Sequence, residues 1–402
     1  MKVLCLSDIH GNEWFVDAML EHINKNKLEF DCVVVGGDIV GKDVDISNIF
    51  SEKIELTSVP DTDNTDFIRI LTKLAGLGKE VFYCLGNWDN KVPYEIPELP
   101  TNCHHVHNEV FEFQGFYFSG FSSCDFDWGQ NPIALHTGKV LIEKYGDLIE
   151  QHNLEVVLSK TERSKKIESL EKVSEKYEYY RTLATIKYTD KRKKPYQKAI
   201  RSLSFREQAL KDRAYSFQSQ SLKKLRSSAR FQQFLEEKTI LTRDIEKKNI
   251  HKILRLLKEK NVPLSRLFFL SHAKIDRFAE NFDETPFCHL FGHRHGFMSS
   301  YRRIRGEPES GRTNYINISA LDLNRPRTSQ FYLPPNFVIA ELNGSDRITA
   351  KPIYLELLDS NLPVPEEDKP RVIATLLNLF EYYEYEKDRL NDCQEMLDRL
   401  MS

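Results

Sequence analysis

Five short polar clusters in this chain carry residue types that bind divalent cations: Asp8-Ile9-His10, Gly37-Asp38, Gly86-Asn87-Trp88-Asp89, His272, and Gly292-His293-Arg294-His295. Asp8, Asp38, Asn87 and the four histidines supply two carboxylates, one carboxamide and four imidazoles. Mixed oxygen and nitrogen donors in that number exceed the needs of one ion and suit two ions sharing a carboxylate. Asp8 and His10 are two residues apart, as are His293 and His295, so an extended backbone would turn each pair to one face. Gly11, Gly37, Gly86, Gly292 and Gly296 permit tight turns and close backbone approach. Any one cluster alone reads as a surface turn or a hydrogen-bonded structural histidine. Their order along the chain, each closing an apolar run, selects metal chemistry.

The apolar runs are the elements that must position these groups. Val3–Ser7, Cys32–Val35 and Glu80–Leu85 read as buried strands, and Glu13–Asn26 and Asp66–Leu77 as amphipathic helices between them. Val110–Phe113 and Phe116–Phe121 flank Gln114-Gly115 as a hairpin. Strand texture resumes at Leu267–Leu270, His289–Phe291, Tyr315–Ile318, Phe337–Leu342 and Thr349–Tyr354. Strands alternating with helices predict an α/β domain, in which ligands bind beyond the carboxyl ends of the strands. The five clusters lie at those ends. The expected domain is discontinuous, built from residues 1–127 and 244–357.

Between the two parts lies a helical insertion, 128–243, strongly basic from residue 160. From Lys160 to Lys260 there are 29 Lys/Arg and 13 Asp/Glu, a charge of +16, against −19 for the rest of the chain, so the net −3 conceals a dipolar molecule. Ile167, Leu170, Val173, Tyr177 and Tyr180 form an apolar stripe, Pro195 interrupts the pattern, and a second arm runs from Ala199 to Glu237, followed by a helix at Arg243–Lys260. Lys191, Arg192, Lys193, Lys194, Lys198, Arg201 and Arg206, with Phe205 and other aromatics interleaved, suit the backbone and unpaired bases of nucleic acid. An acidic protein, the acidic body of the same chain or an anionic membrane surface would also satisfy this charge.

Residues 358–402 begin with a Pro-punctuated linker (Pro363, Pro365, Pro370) and continue as a helix from Arg371 to Met401. Its apolar rows, Leu376, Tyr383, Leu390 and Leu397 beside Val372, Leu379, Cys393 and Leu400, allow either a coiled-coil dimer or a helix packed on its own domain. No window is apolar for the 18 or so residues that a membrane helix requires. Met1 runs directly into a strand, and the seven cysteines lack CxxC spacing. These features predict reduced thiols and a cytoplasmic location.

The ordered set Asp-x-His, Gly-Asp, Gly-Asn-x-Asp, His, Gly-His-x-His resembles the calcineurin-like metallophosphoesterase family over residues 1–125 and about 265–357. The resemblance implies a four-layer αββα sandwich, here with a long helical insertion and a C-terminal helix. It implies two divalent metal ions, Mn²⁺ as first expectation with Fe, Zn or Ni as alternatives. Asp8, His10 and His295 would hold one, Asn87, His272 and His293 the other, and Asp38 would bridge them. Activated water would then attack phosphorus, with Arg294 or Asn12 as outer partners of the developing charge. One departure matters: where family members commonly have His in the third cluster, this chain has Trp88, which cannot donate a catalytic proton, and Asp89, which in the family orients that His, is left as a turn or helix cap. Loss of a general acid costs about 10²–10⁴-fold on a poor leaving group. The departure favours the phosphodiesterase branch that lacks this His, and leaves His136, the His104, His105 and His107 cluster, read as a loop, metal-bound water or a residue of the insertion as substitute donors. The expected function is phosphodiester hydrolysis of nucleic acid. A small-nucleotide phosphodiesterase or phosphatase with the insertion as lid, or a metal-binding scaffold, are the alternatives.

Overall fold

The computed structural model describes residues 1–40, 65–86, 89, 98–122, 132–187, 194–215, 217–275, 285–303, 312–322, 334–342, 347–355, 357–360, 362–366, 368–369, 372–373, 375–377, 379 and 389–401. The chain divides into two units, one formed by Met1–Gly138 with Thr242–Ser402 and the other by Lys139–Leu241.

In the first unit, β1 (Lys2–Leu6), β2 (Cys32–Val35), β3 (Glu80–Tyr83) and β4 (Cys103–His105) run parallel, and α1 (Glu13–Asn26) and α2 (Thr65–Ala75) serve as crossovers. β5 (Val110–Phe113) and β6 (Phe116–Phe121) form a hairpin whose turn residues Gln114 and Gly115 both have positive φ, 51° and 75°, the twist that matches a two-residue connection. β7 (Leu267–Ser271), β8 (Cys288–Phe291) and β10 (Arg312–Asn317) continue parallel from β6, and β9 (Met298–Arg303) closes that edge antiparallel to β10. β11 (Asn336–Leu342) and β12 (Ile348–Tyr354) return to the first sheet beside β1. The result is two six-stranded sheets, β12-β11-β1-β2-β3-β4 and β5-β6-β7-β8-β10-β9.

Strand periodicity explains why these sheets stack. Leu4, Leu6, Val33, Val35, Val81 and Tyr83 pack with Phe15, Val16, Met19 and Ile23 of α1 and Phe67, Ile70 and Leu71 of α2. Their neighbours Val3, Cys5, Cys32, Val34, Phe82 and Cys84 point the other way and pack against Phe118, Phe268, Leu270, Cys288 and Leu290 of the second sheet. Phe82 and Phe118 stack across that interface at 4.1 Å. The far face of the second sheet, Phe121, Leu267 and Phe269, is covered by Ile250, Ile253 and Leu257 of α6 (Ala229–Glu259). Helix, sheet, sheet, helix is the four-layer α/β sandwich, and strands buried on both faces read as continuous apolar runs for that reason.

Leu376, Leu379, Cys393, Met396, Leu397 and Leu400 of the C-terminal segment are buried in the same cluster as α1 and α2. Of the apolar rows that read as a heptad, Val372, Leu376, Leu379, Cys393, Leu397 and Leu400 lie in the core of their own unit, while Leu390 is half-buried; the last helix described is α7 (Leu390–Met401), and much of the expected Arg371–Met401 helix, Tyr383 included, lies outside the described residues.

The second unit is helical. α3 extends through Pro132–Lys187, α4 through Lys194–Tyr215, α5 through Gln220–Arg226, and α6 starts at Ala229. Pro195 lies in the first turn of α4, at the boundary between two helices as expected, where the N–H it lacks has no intrahelical acceptor in any case. The arm expected from Ala199 to Glu237 is itself divided after Tyr215, with Ser219 capping α5 by accepting from Leu222 N at 3.2 Å. Tyr145 and Phe234 meet between α3 and α6, with ion pairs Lys144–Glu237 and Arg230–Asp147 on the surface. No helix among the described residues is long and apolar enough to cross a membrane.

Candidate metal centre

The strand ends bring six of the seven candidate ligands into two groups. In each of Asp8, His10, His295 and Asp38, His272, His293, the ligand atoms lie within 4.8 Å of one another. Asn87 and Trp88 lie outside the described residues. The convergence of Asp8 with His10 does not come from strand alternation. β1 ends at Leu6, and Asp8 and His10 have φ of 51° and 52°. Asp38 (52°), His293 (66°) and His295 (51°) share this left-handed conformation. It costs a residue with a Cβ about 1–2 kcal/mol. Five of the nine described non-glycine residues in this region are candidate ligands, and concentrated strain of this kind persists where the surroundings over-determine it for function.

Backbone hydrogen bonds continue the β1–β2 ladder into the loops and fix them. Asp8 N donates to Gly37 O at 2.9 Å, Ile9 N and His10 N both donate to Asp38 O, and Gly11 N donates to Ile39 O. The Asp8 carboxylate is oriented by Ser7 Oγ, which donates to Oδ2 at 2.5 Å, and by His293 N, which donates to the same oxygen at 3.1 Å. That leaves Oδ1, buried, turned toward His295 Nε2 at 3.3 Å. His272 is positioned from the opposite side. Its Nδ1 donates to Gly36 O at 2.7 Å, which turns Nε2 toward Asp38 Oδ2 at 3.2 Å. A hydrogen bond on one ring nitrogen sets the tautomer and aims the other at a ligand.

Glycine is required where these loops meet. A Cβ on Gly86 would lie 2.1 Å from Asp38 Oδ1, and one on Gly292 would lie 1.8 Å from Ser7 Oγ and 2.8 Å from Asp8 Oδ2. Gly37 has φ +90°, and a Cβ there would lie 2.7 Å from His272 Nδ1.

The electrostatics match a cation site. Burial raises the Asp8 pKa, but the hydrogen bond and charge of His295, with His272 and His10, outweigh it and hold the carboxyl well below its usual range. Asp38 is likewise lowered, burial being overcome by His272. Burial opposes protonation of His272, yet Asp38 pushes its pKa up to about 10, and Asp8 raises His295 in the same way. Without a metal, protons on the histidines balance the two carboxylates. A divalent ion replaces such protons on neutral imidazole and ionised carboxylate ligands. The buried Asp8 Oδ1 turned toward His295, the cradle that a Cβ would fill and the mixed O/N donors fit two divalent ions.

Several other residues carry functional expectations. Arg294 is exposed, its N donating to Gly292 O, and Asn12 is buried at the start of α1. His104 to His105 belong to edge strand β4 instead of a loop, because each ring stacks on the strand alongside, His104 on Phe82 and His105 on Tyr83. His107 accepts from Ser122 N at 3.0 Å, and burial, with His105 and Lys252, pushes its pKa down to about 3. His136 lies in α3. Lys198, Arg201 and Arg206 are exposed on α4, and Lys194 opens that helix, whereas Lys191, Arg192 and Lys193 lie outside the described residues.

Sequence reasoning missed Ser7, read only as the end of a strand, and Asp322, whose charge acts on both His10 and His295. The available signal for Asp322 was its place just beyond the strand read at Tyr315–Ile318. Asp89, read as a turn or cap, is fully buried and accepts hydrogen bonds from three backbone amides.

Residues 1–176 match the family model described as calcineurin-like phosphoesterase. This span holds Asp8, His10, Asp38 and Asn87; His272, His293 and His295 follow it. No curated protein matches the sequence. Among solved structures, TT1561 of Thermus thermophilus is similar over 87% of this chain and 97% of its own, at 8% identity and a TM-score of 0.36.

Proposed function

We propose that this chain, a member of the calcineurin-like phosphoesterase family, hydrolyses phosphodiester bonds in nucleic acid. The family makes it a metal-dependent phosphoesterase. The observation that carries the catalytic part of the reading is the pair of Asp/His groups, each with ligand atoms within 4.8 Å, at the ends of parallel strands. Asp8, His10 and His295 would hold one ion and His272, His293 and Asn87 the other, with Asp38 shared. Bound divalent ions supply Lewis-acid polarisation of the phosphoryl group and lower the pKa of water.

The protein's own contribution is orientation. Ser7 and the His293 amide tie down one oxygen of Asp8, so that the other is presented in a fixed direction. The Gly36 carbonyl fixes the ring of His272. Arg294, exposed beside His293 and His295, would meet negative charge on a bound phosphate. With Trp88 in the position of the family's usual His, proton delivery to a poor leaving group is weakened, which favours a diester over a serine phosphate. Mn²⁺ is the first choice of ion on donor type.

The nucleic-acid part of the reading rests on the helical unit. Phe205 is 76% exposed on α4, with the exposed cations Arg201 one turn before it and Arg206 after it. A solvent-facing aromatic among cations offers a stacking surface for an unpaired base and charge for the backbone. Lys198, Arg201 and Arg206 have no ion pair among the described residues, unlike Lys144 and Arg230. Cys5, Cys32, Cys84, Cys288 and Cys393 are buried, in keeping with the cytoplasmic location proposed for this chain.

The test is hydrolysis of bis(p-nitrophenyl) phosphate with Mn²⁺, which should disappear in Asp38→Ala. Absence of turnover with Mn²⁺, Fe²⁺, Zn²⁺ and Ni²⁺ would overturn the enzymatic reading. Affinity for a single-stranded oligonucleotide should fall steeply with salt, and should drop when Lys198, Arg201 and Arg206 are replaced by Gln. Turnover without such binding would leave the small-nucleotide reading, with the helical unit as a partner arm.

A further inference from the structure

Asp89 sits at the end of the Gly-Asn-Trp-Asp cluster and is fully buried. Its Oδ1 accepts from Ile39 N at 2.7 Å and Val40 N at 3.0 Å, and its Oδ2 accepts from Gly86 N at 2.6 Å. All three donors are backbone groups of the two loops that follow β2 and β3. Ile39 and Val40 come directly after Asp38, and Gly86 directly precedes Asn87. The carbonyls of the same β2 loop are already committed on the other side, where Asp38 O and Ile39 O accept from the loop of Asp8 and His10. The β2 loop is therefore held from both sides, by the β1 loop through its carbonyls and by Asp89 through its amides.

We propose that Asp89 is a positioning residue for the second metal group: it ties the loop of Asp38 to the loop of Asn87 and so sets the direction in which Asp38 faces His272 and His293. Three features support a fixed strut. Three strong N–H···carboxylate bonds converge on one buried group. Gly86 is in contact with Asp38, since a Cβ there would lie 2.1 Å from Asp38 Oδ1, so a shift in one loop moves the other. Asp38 itself has a left-handed backbone, φ 52°, which relaxes unless the flanking amides are held. The first group, Asp8, His10 and His295, is held by Ser7 and the His293 amide and does not touch Asp89 through any of these bonds.

This inference rests on the two-metal reading, and its test separates the two. Mn²⁺ is titrated calorimetrically into the full chain and into Asp89→Ala and Asp89→Asn. Removing an outer partner of a metal ligand typically weakens binding 10–100-fold. Asp89→Ala should therefore lose about 10–100-fold at the site of His272 and His293, with a smaller loss at the site of Asp8, His10 and His295, which shares Asp38 but is held independently by Ser7 and the His293 amide. Asn keeps an oxygen for Ile39 and Val40 but turns an NH₂ toward Gly86 N–H, so Asp89→Asn should fall between. Co²⁺ in place of Mn²⁺ supplies a second readout, because its visible spectrum reports ligand geometry; the variant should change the bands of the ion at His272 and His293 more than those of the other. If Asp89→Ala fails to fold, Asp89→Asn decides. Two sites with wild-type affinities and spectra in the folded variant would overturn the role of Asp89. No Mn²⁺ binding by the wild-type chain would instead overturn the metal reading beneath it.

Discussion

Replacing Gly292 by Ala tests whether the metal groups depend on how closely the two sheets' loops approach. The added Cβ would lie 1.8 Å from Ser7 Oγ, 2.9 Å from Ser7 Cβ and 2.8 Å from Asp8 Oδ2. Ordinary van der Waals contact begins at 3.4 Å, so Ser7 Oγ and the new methyl must separate by about a further 1.6 Å. Ser7 is buried and follows directly from β1, and its hydroxyl holds Asp8 Oδ2, so the displacement passes to Asp8 or to the loop of His293 and His295. Catalytic groups tolerate about 0.5 Å of misplacement, and 1 Å costs on the order of 10²-fold. Gly292→Ala should lower kcat/KM for bis(p-nitrophenyl) phosphate with Mn²⁺ by about 100-fold or more. Overpacking typically costs about 1–3 kcal/mol in stability, so the variant should still fold, as far-ultraviolet circular dichroism would show. Gly146→Ala is the control: it meets nothing within 4 Å in α3 and should leave turnover unchanged. Wild-type turnover in Gly292→Ala would refute the argument that this contact positions Asp8.

Two further outcomes follow from individual buried groups. Ser7→Ala removes a hydrogen bond to a charged acceptor, worth about 1.5–3 kcal/mol, while leaving Asp8 Oδ2 the His293 amide; the urea midpoint should fall accordingly and Mn²⁺ should bind about 10-fold more weakly, and unchanged calorimetric affinity would count against the role of Ser7. His107 is held neutral, its folded pKa of about 3 lying below the unfolded value of about 6.5. It therefore contributes stability that is present above pH 6.5 and lost as pH falls toward 3, about 1–3 kcal/mol by pH 4.5. Urea unfolding at pH 7 and 4.5 should show a smaller acid loss in His107→Gln than in wild type.

How much of this was legible in sequence depended on which force set each feature. Glu13–Asn26 and the hairpin around Gln114-Gly115 were readable to the residue, because helical periodicity and a two-residue turn are local signals. The ligand types were readable from composition and order, but the reason they converge was not. Asp8 and His10 meet through left-handed backbone held by the β2 loop, which strand alternation cannot express. His104 and His105 resembled a loop because three residues carry too little periodicity; their strand character comes from pairing with Phe82 and Tyr83 of β3. The C-terminal apolar rows were ambiguous for a different reason. A heptad and a core-facing helix share the same pattern, and only the cluster containing Phe67, Leu376 and Leu397 distinguishes them. Asp89 looked like a cap because its partners, Ile39 and Val40, lie about fifty residues away along the chain.

The central claim is that two ions sit side by side at the ends of β1, β2, β7 and β8. Anomalous diffraction from a Mn²⁺-loaded crystal at the manganese edge tests it most directly. The account predicts two peaks per chain, one within bonding distance of Asp8, His10 and His295 and the other of His272 and His293, with Asp38 touching both. A peak count of none, or Mn²⁺ bound away from these residues, would contradict it.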